Sequence, residues 1–349
     1  MDSWSGGGGD MAPEYGTESA TIDIDGDEKF PATPNLAQDL GFWMTRLPQR
    51  LRSLPIVQLA IPGSHNTMTY TIERNNDVGP DESKMIRTLG RYFGVVTKPV
   101  IFNWSVNQYE SVKDQLDGGI RYLDLRVATK PNDDKVYFLH GLYGSEIGEP
   151  LREVANWLDA HPRELVILDF QHFYDFEEVR HRGLIDQLRA IFHRKMCPVS
   201  HHQKLDHTSL DWLASERYQA LIVYRNPIAR EYRDLWPSGL WPTPWPNTVS
   251  TSKLVDFLDA GLRERSRDTG FVSQCLLTPS TAYVARHICG SLHRDLSAQC
   301  RRAILPWLER CSPGSGGLNI VITDFVSFDQ FSFSKLVVQR NASLLKHKS

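Results

Sequence analysis

Two histidines, each at the end of an apolar run, could do chemistry in this sequence: His65 in "LAIPGSHNTMTY" and His140 in "VYFLHG". An imidazole with an ordinary pKa near 6.5 holds either protonation state at neutral pH, so one such ring can remove a proton while another supplies one. Arg126 ends the run "YLDLRV", two residues after Asp124, and a guanidinium binds two oxygens of an anionic centre in a planar fork. Other polar residues sit at the ends of similar runs: Asp169, Gln171 and His172 in "LVILDFQHF", Arg225 in "LIVYRN" and Asp324 in "NIVITDF". Brought to one pocket, two imidazoles and a guanidinium are acid–base machinery around an anionic centre.

The runs themselves say what must position these groups. They span 57–63, 122–127, 136–140, 165–171, 221–226, 271–278 and 319–325. Stretches with helical spacing lie between most of them, at 105–117, 149–161, 177–195, 253–266, 293–310 and 329–347. Strands alternating with helices predict parallel βαβ units. Seven of them in one chain of this length predict an α/β fold, a single-domain (β/α)8 TIM-type barrel over residues 31–349, complete or distorted. Barrels carry their chemistry at the C-terminal ends of strands, which is where the polar residues fall. The first strand is expected to break at Pro62-Gly63, in a turn that aims His65 into the barrel mouth with Asn66 beside it. No GxGxxG or GxxxxGK[ST] follows a strand, which argues against the nucleotide-binding versions of the class.

Composition narrows the function further. The 349-residue chain is 41% hydrophobic with a net charge of −3, but residues 1–29 hold eight acids and one base, so the remainder carries +4. The acidic tail, residues 1–30, has too few apolar groups to offset its ordering entropy and is expected to be disordered. The body is too weakly basic for nucleic acid and lacks RNP, KH and finger patterns, while tolerating an anionic membrane surface. Five cysteines without CxxC spacing read as reduced intracellular thiols. Cys197, His201, His202 and His207 lack metal-ligand spacing and read as a solvated loop, so no metal is expected. The first residues are acidic and Gly-rich rather than basic then apolar, and no run of about 18 apolar residues occurs, so neither secretion nor membrane spanning is expected. The expected location is cytoplasmic, with peripheral membrane association and the nucleus both left open. The Pro-stiffened "LWPSGLWPTPWPN" presents Trp236, Trp241 and Trp245, which suit either membrane contact or a lid on the barrel end.

Five motifs, "IPGSHNTMTY", "DGGIRYLDLRV", "VYFLHGLYG", "HPRELVILDFQHF" and "VITDF", run in this order from about residue 40 to the C-terminus. Together they resemble the X-domain of phosphatidylinositol-specific phospholipase C, and most closely the small eukaryotic X-domain proteins that lack PH, EF-hand, Y and C2 modules. The resemblance implies that His65 takes the proton from the inositol 2-hydroxyl and that His140 protonates the departing diacylglycerol oxygen, leaving a cyclic inositol phosphate. It implies that Arg126 stands where the large eukaryotic enzymes hold calcium, as arginine does in the bacterial ones. No cofactor is then expected, calcium being disfavoured by the guanidinium rather than ruled out. Asp324 would orient His65 and fix its tautomer. Asn66, Asp124, Gln171 and Arg225 fall at substrate-binding positions. Asn66 departs from the bacterial aspartate, and Gln171 replaces a basic residue, which leaves headgroup preference open. The implied partner is phosphatidylinositol or a phosphoinositide at a peripheral membrane surface.

Plainer readings stand beside these. His65 alone could tie a turn, His140 could be a satisfied core histidine, and Asp124 with Arg126 could form a structural ion pair. Asp324 could cap a helix, and Arg225 could anchor a loop. Two other functions remain open: a catalytically weak phosphoinositide- or membrane-binding module, and a metal-dependent glycerophosphodiesterase. The first has no need of an acid–base pair, and the second wants paired acids where Arg126 stands.

Overall fold

Short runs rich in Leu, Ile and Val, punctuated by Gly, Pro and Asn, become nine strands in the computed structural model, which describes residues 34–199 and 204–346. The acidic tail at 1–30 lies outside the described residues, as do His201 and His202 of the 197–207 loop. The strands are β1 (Ile61–Ser64), β2 (Tyr122–Thr129), β3 (Val136–His140), β4 (Leu142–Glu146), β5 (Val166–Tyr174), β6 (Ala220–Tyr224), β7 (Trp236–Pro237), β8 (Val272–Gln274) and β9 (Ile320–Thr323). Seven form a curled sheet in the order β7-β6-β5-β2-β1-β9-β8, every neighbouring pair parallel. This is a distorted, incomplete barrel. From Asn35 onward the chain is one compact unit.

Two expectations about strands are corrected. Residues 136–140 are not a barrel strand: β3 pairs antiparallel with the outer half of β2, and β4 folds back on β3 around Gly141. Gly141 has φ 67°, and a Cβ there would lie within 2.9 Å of Ile101 and closer still to the Ser105 hydroxyl, so the turn requires glycine. Second, β1 does not break at Pro62-Gly63 but runs through both residues, pairing Gly63 with Tyr122 on one side and Ile322 on the other. Proline is tolerated because its carbonyl accepts from the Arg121 N–H, just before β2 begins, so no ladder donor is lost on that side. The turn comes at Asn66, whose φ of 45° lies in the left-handed region that asparagine accepts.

Alternation along the strands sorts side chains into two cores. Ile61, Tyr122, Ile167, Leu221, Val272 and Ile320 share the inner cluster, while Leu123, Leu125, Leu168, Ile222 and Val321 meet the helices outside. Those helices include Gly148–Ala160, Glu178–Phe192, Thr251–Glu264, Ala298–Arg310 and Phe328–Arg340. Among the described residues, no helix is long and apolar enough to cross a membrane.

Of the two readings of the tryptophan-rich segment, membrane contact or a lid on the barrel end, the burial of Trp236 and Trp241 fits the lid. Between the edge strands β7 and β8 it lies along β8: the Gly270 N–H donates to the Leu240 carbonyl at 2.9 Å and the Val272 N–H to the Pro242 carbonyl at 2.9 Å. Prolines at 237, 242, 244 and 246 can only accept, so this segment covers the β8 edge without forming a ladder of its own. Trp236 and Trp241 are buried in the inner core and face no lipid. Trp245 alone of the three is exposed, its indole N–H donating to the Thr278 hydroxyl.

Candidate active site

Counting inward positions up each strand leads from the apolar inner core to charge. On β2 the sequence Tyr122, Asp124, Arg126 points inward; on β5, Asp169; beyond β6, Arg225; beyond β1 and β9, His65 and Asp324. His65 and Asp324 are each followed by a residue in left-handed backbone, Asn66 at φ 45° and Phe325 at φ 49°, so the chain turns away just past them. The His65 Nδ1 and Asp324 Oδ1 lie 2.7 Å apart. A carboxylate can only accept, so the ring carries its proton on Nδ1 and leaves the Nε2 lone pair free to accept.

Sequence reasoning missed the group that holds this dyad. Asn107 Nδ2 donates to Asp324 Oδ1 at 2.8 Å, and its Oδ1 accepts from Asn66 Nδ2 at 2.9 Å. Beside it, Gln108 Nε2 donates to the carbonyls of His65 and Thr323, the last positions of the two strand ends. Both amides are buried, and both belong to a stretch expected to start a helix that in fact begins at Val112. Two adjacent buried amides need partners on every polar atom, and that was the one available signal.

Arg126 faces the dyad. Its Nη2 is 3.2 Å from His65 Nε2, and Asp124 Oδ2 is 3.7 Å from the same nitrogen. The Asn66 N–H donates to Asp124 Oδ2 at 3.1 Å. Burial works against the Asp124 carboxylate, but Arg126, then His65 and the Asn66 N–H, outweigh it and hold its pKa below the ordinary value. His140 completes the group: its ring centre is 6.3 Å from that of His65, at 71°. Its Nδ1 donates to the Ser105 carbonyl at 2.6 Å, leaving Nε2 as the working nitrogen. Burial first and Arg126 second push the His140 pKa down to about 3, although the residue as a whole is only half-buried. Arg126 Nε, Asp124 Oδ1 and Asn66 Oδ1 have no hydrogen-bond partner and border a cavity of about 10 Å³, the room of roughly one water.

A bulge shapes the opposite wall. Leu125 pairs with Phe170 but Arg126 pairs with His172, so Gln171 is an extra residue and successive side chains of β5 reach the mouth. Gln171 Nε2 donates to the Tyr122 hydroxyl at 2.9 Å, and that hydroxyl donates to Asp169 Oδ2 at 2.6 Å. Of the two readings of Arg225, substrate contact and a loop-anchoring ion pair, its contacts match the second: it grips the buried Asp169 with two hydrogen bonds, 2.8 and 2.7 Å, and donates to the Trp241 carbonyl at 2.7 Å. An inward carboxylate this deep requires a counter-charge, and Arg225 is the group supplying it. A larger groove, about 590 Å³, lies outside the barrel among Lys113, Asp117, Glu149, Glu153 and Trp157 and includes none of the mouth residues.

Known proteins resemble this chain in sequence and in fold. The PI-PLC X family pattern matches residues 100–179. PI-PLC X domain-containing protein 3 of Homo sapiens is 37% identical over 295 residues, covering 84% of this chain and 91% of its own length. PI-PLC X domain-containing protein 2 of Mus musculus is 39% identical over 302 residues, 86% of this chain and 87% of its own. Among solved structures, a pentafluoro-Phe phosphatidylinositol-specific phospholipase C from Staphylococcus aureus superposes with TM-score 0.62 at 14% identity, over 88% of this chain and 99% of that one. The Listeria monocytogenes enzyme of the same name gives 0.55 at 18%, over 86% and 98%. At such identity the superpositions speak for the fold, while the relatives at 37–39% identity settle the lineage: this chain is a member of the PI-PLC X domain-containing protein family.

Proposed function

We propose that the protein is a phosphodiesterase of the phospholipase C type, acting on phosphatidylinositol or a phosphoinositide at the cytoplasmic surface of a membrane, without a metal. The names of the solved neighbours supply the substrate class. The observation that carries the reading is the meeting of two imidazoles, 6.3 Å apart, with Arg126 against His65 and a carboxylate behind it. In this mechanism His65 Nε2 takes the proton of the inositol 2-hydroxyl as that oxygen attacks phosphorus. Asp324 stabilises the imidazolium that forms. Arg126 turns its guanidinium from His65 to the phosphate and neutralises the charge gathering there. The bond from phosphorus to the glycerol oxygen breaks, and His140 Nε2 gives that oxygen its proton, releasing diacylglycerol and a cyclic inositol phosphate. A phosphate brought beside Arg126 offsets the charge that depresses His140, so substrate itself helps to protonate the acid.

The residues here favour a metal-free site over a calcium site: calcium takes six to eight oxygens, whereas Asn66 Oδ1 and Asp124 Oδ1 are the side-chain oxygens without a hydrogen bond beside this cavity, and Arg126 Nε already faces Asp124 Oδ1 at 3.8 Å with its positive charge.

One observation favours a second reading, a lipid-binding module without turnover: with its pKa near 3, His140 has no proton to give at neutral pH until an anion binds. Phosphatidylinositol vesicles with and without chelator, followed by phosphorus NMR, separate the two. Cyclic inositol phosphate formed equally in both arms, and lost by on the order of a hundredfold or more in His65→Ala with vesicle binding retained, is the expected result. Binding without product in the unaltered protein would establish the module, and product only without chelator would overturn metal independence.

A further inference from the structure

Of the twelve large apolar side chains exposed on the described chain, six fall between residues 85 and 96: Met85, Leu89, Tyr92, Phe93, Val95 and Val96. They belong to two helices inserted between β1 and β2, Lys84–Tyr92 and Gly94–Ser105. Met85, Leu89 and Tyr92 are spaced i, i+4, i+7, one stripe of the first helix. An adjoining face is already satisfied: Ile86 packs in a small core with Val78, and Gly90 lies so close to Val78 that a Cβ there would sit 2.4 Å from its Cγ2. At the corner between the helices the side chains project, Tyr92 being 71% and Val95 93% exposed. Lys84, Arg87 and Arg91 flank the stripe and none is ion-paired among the described residues, while 84–98 contains no Asp or Glu. Exposed apolar side chains at a projecting corner, with the unpaired Lys84, Arg87 and Arg91 along one side of the stripe, match a soft anionic surface; the nearby acids are already engaged in part, Asp77 with Lys98 at 3.5 Å and Asp81 with the Gly141 N–H.

We infer that this helical corner is the docking site for an anionic phospholipid bilayer. Its position supports the assignment. The second helix ends at Ser105, whose carbonyl holds His140, and Asp81 Oδ2 accepts the Gly141 N–H at 2.7 Å, so the corner is tied to the rim of the mouth. This deepens the proposed function, sharing with it the premise that the substrate is a lipid, but its test reads binding alone.

The full chain is sedimented with vesicles of phosphatidylcholine, with or without phosphatidylserine. Binding should require phosphatidylserine and weaken with salt. The triple variant Tyr92→Ser, Phe93→Ser, Val95→Ser should bind on the order of tenfold or more weakly, and Arg87→Glu with Arg91→Glu should abolish the preference for phosphatidylserine. Circular dichroism and the thermal midpoint confirm folding, which these exposed positions should leave unchanged. Trp245→Ala, on another segment, should bind as the parent does. A parent chain that ignores both vesicles, or a folded triple variant that binds equally well, would overturn the assignment. Loss of turnover with vesicle binding intact would strike only the proposed function.

Discussion

Replacing Arg126 by glutamine isolates the charge that governs the proton on His140. The His140 pKa is pushed down to about 3 by burial first and Arg126 second, with His65 adding a smaller depression and the Ser105 carbonyl opposing. Glutamine keeps a polar chain of similar reach and removes the charge. A like charge at close range moves a pKa by roughly 1–3 units, so His140 in the variant should titrate higher by about that much, without passing its ordinary value because burial remains. Imidazole NMR signals followed against pH, assigned with His140→Gln, read this directly. The same depression fixes a sign for stability. An unfolded chain protonates His140 near pH 6.5 and the native protein only near 3, so between these values the unfolded state holds more protons. Native stability therefore falls as pH drops through that window, by at most about 5 kcal/mol, and by less than that because the half-buried residue is partly screened by solvent. Arg126→Gln should show a shallower fall in thermal midpoint over the same range. A native His140 titrating near 6.5, or a variant with an unmoved His140, would refute the reasoning.

Two further perturbations address the dyad and the deep ion pair. Asp324→Asn removes the charge behind His65 and lets an amide N–H face Nδ1, so kcat/KM on phosphatidylinositol should fall by about 10²–10⁴ with the thermal midpoint little changed; a folded variant within about threefold of the parent would remove Asp324 from the mechanism. Arg225→Met strands the buried Asp169 carboxylate and should cost on the order of 3–5 kcal/mol of stability, read from denaturant unfolding; a stable variant with only a raised KM would restore the substrate-binding role that the ion pair argues against.

Much of the site was legible because it depends on local pattern. Apolar runs ending in polar residues marked strand ends, and alternation put Asp124 and Arg126 on one inward face. The helices at 84–105 were not legible: Pro99 sits inside the second, and the first presents an apolar stripe outward where a buried face would be sought. The run at 136–140 has the composition of a barrel strand, and only its tight turn at Gly141 commits it to a hairpin.

The sequence by itself determined which residue types stand at which strand ends, and so the acid, base and guanidinium available, because a strand repeats every two residues and its pattern is local. Tertiary structure alone decided which of them meet. Asp324 reaches His65 across 259 residues, Asn107 clamps Asp324 across 217, and Arg225 turns to Asp169 rather than to the open mouth. The first of these was expected only through the likeness of the motifs to a family; the other two have no local signature, because they arise only when the sheet curls and each buried polar group takes a partner that can satisfy it.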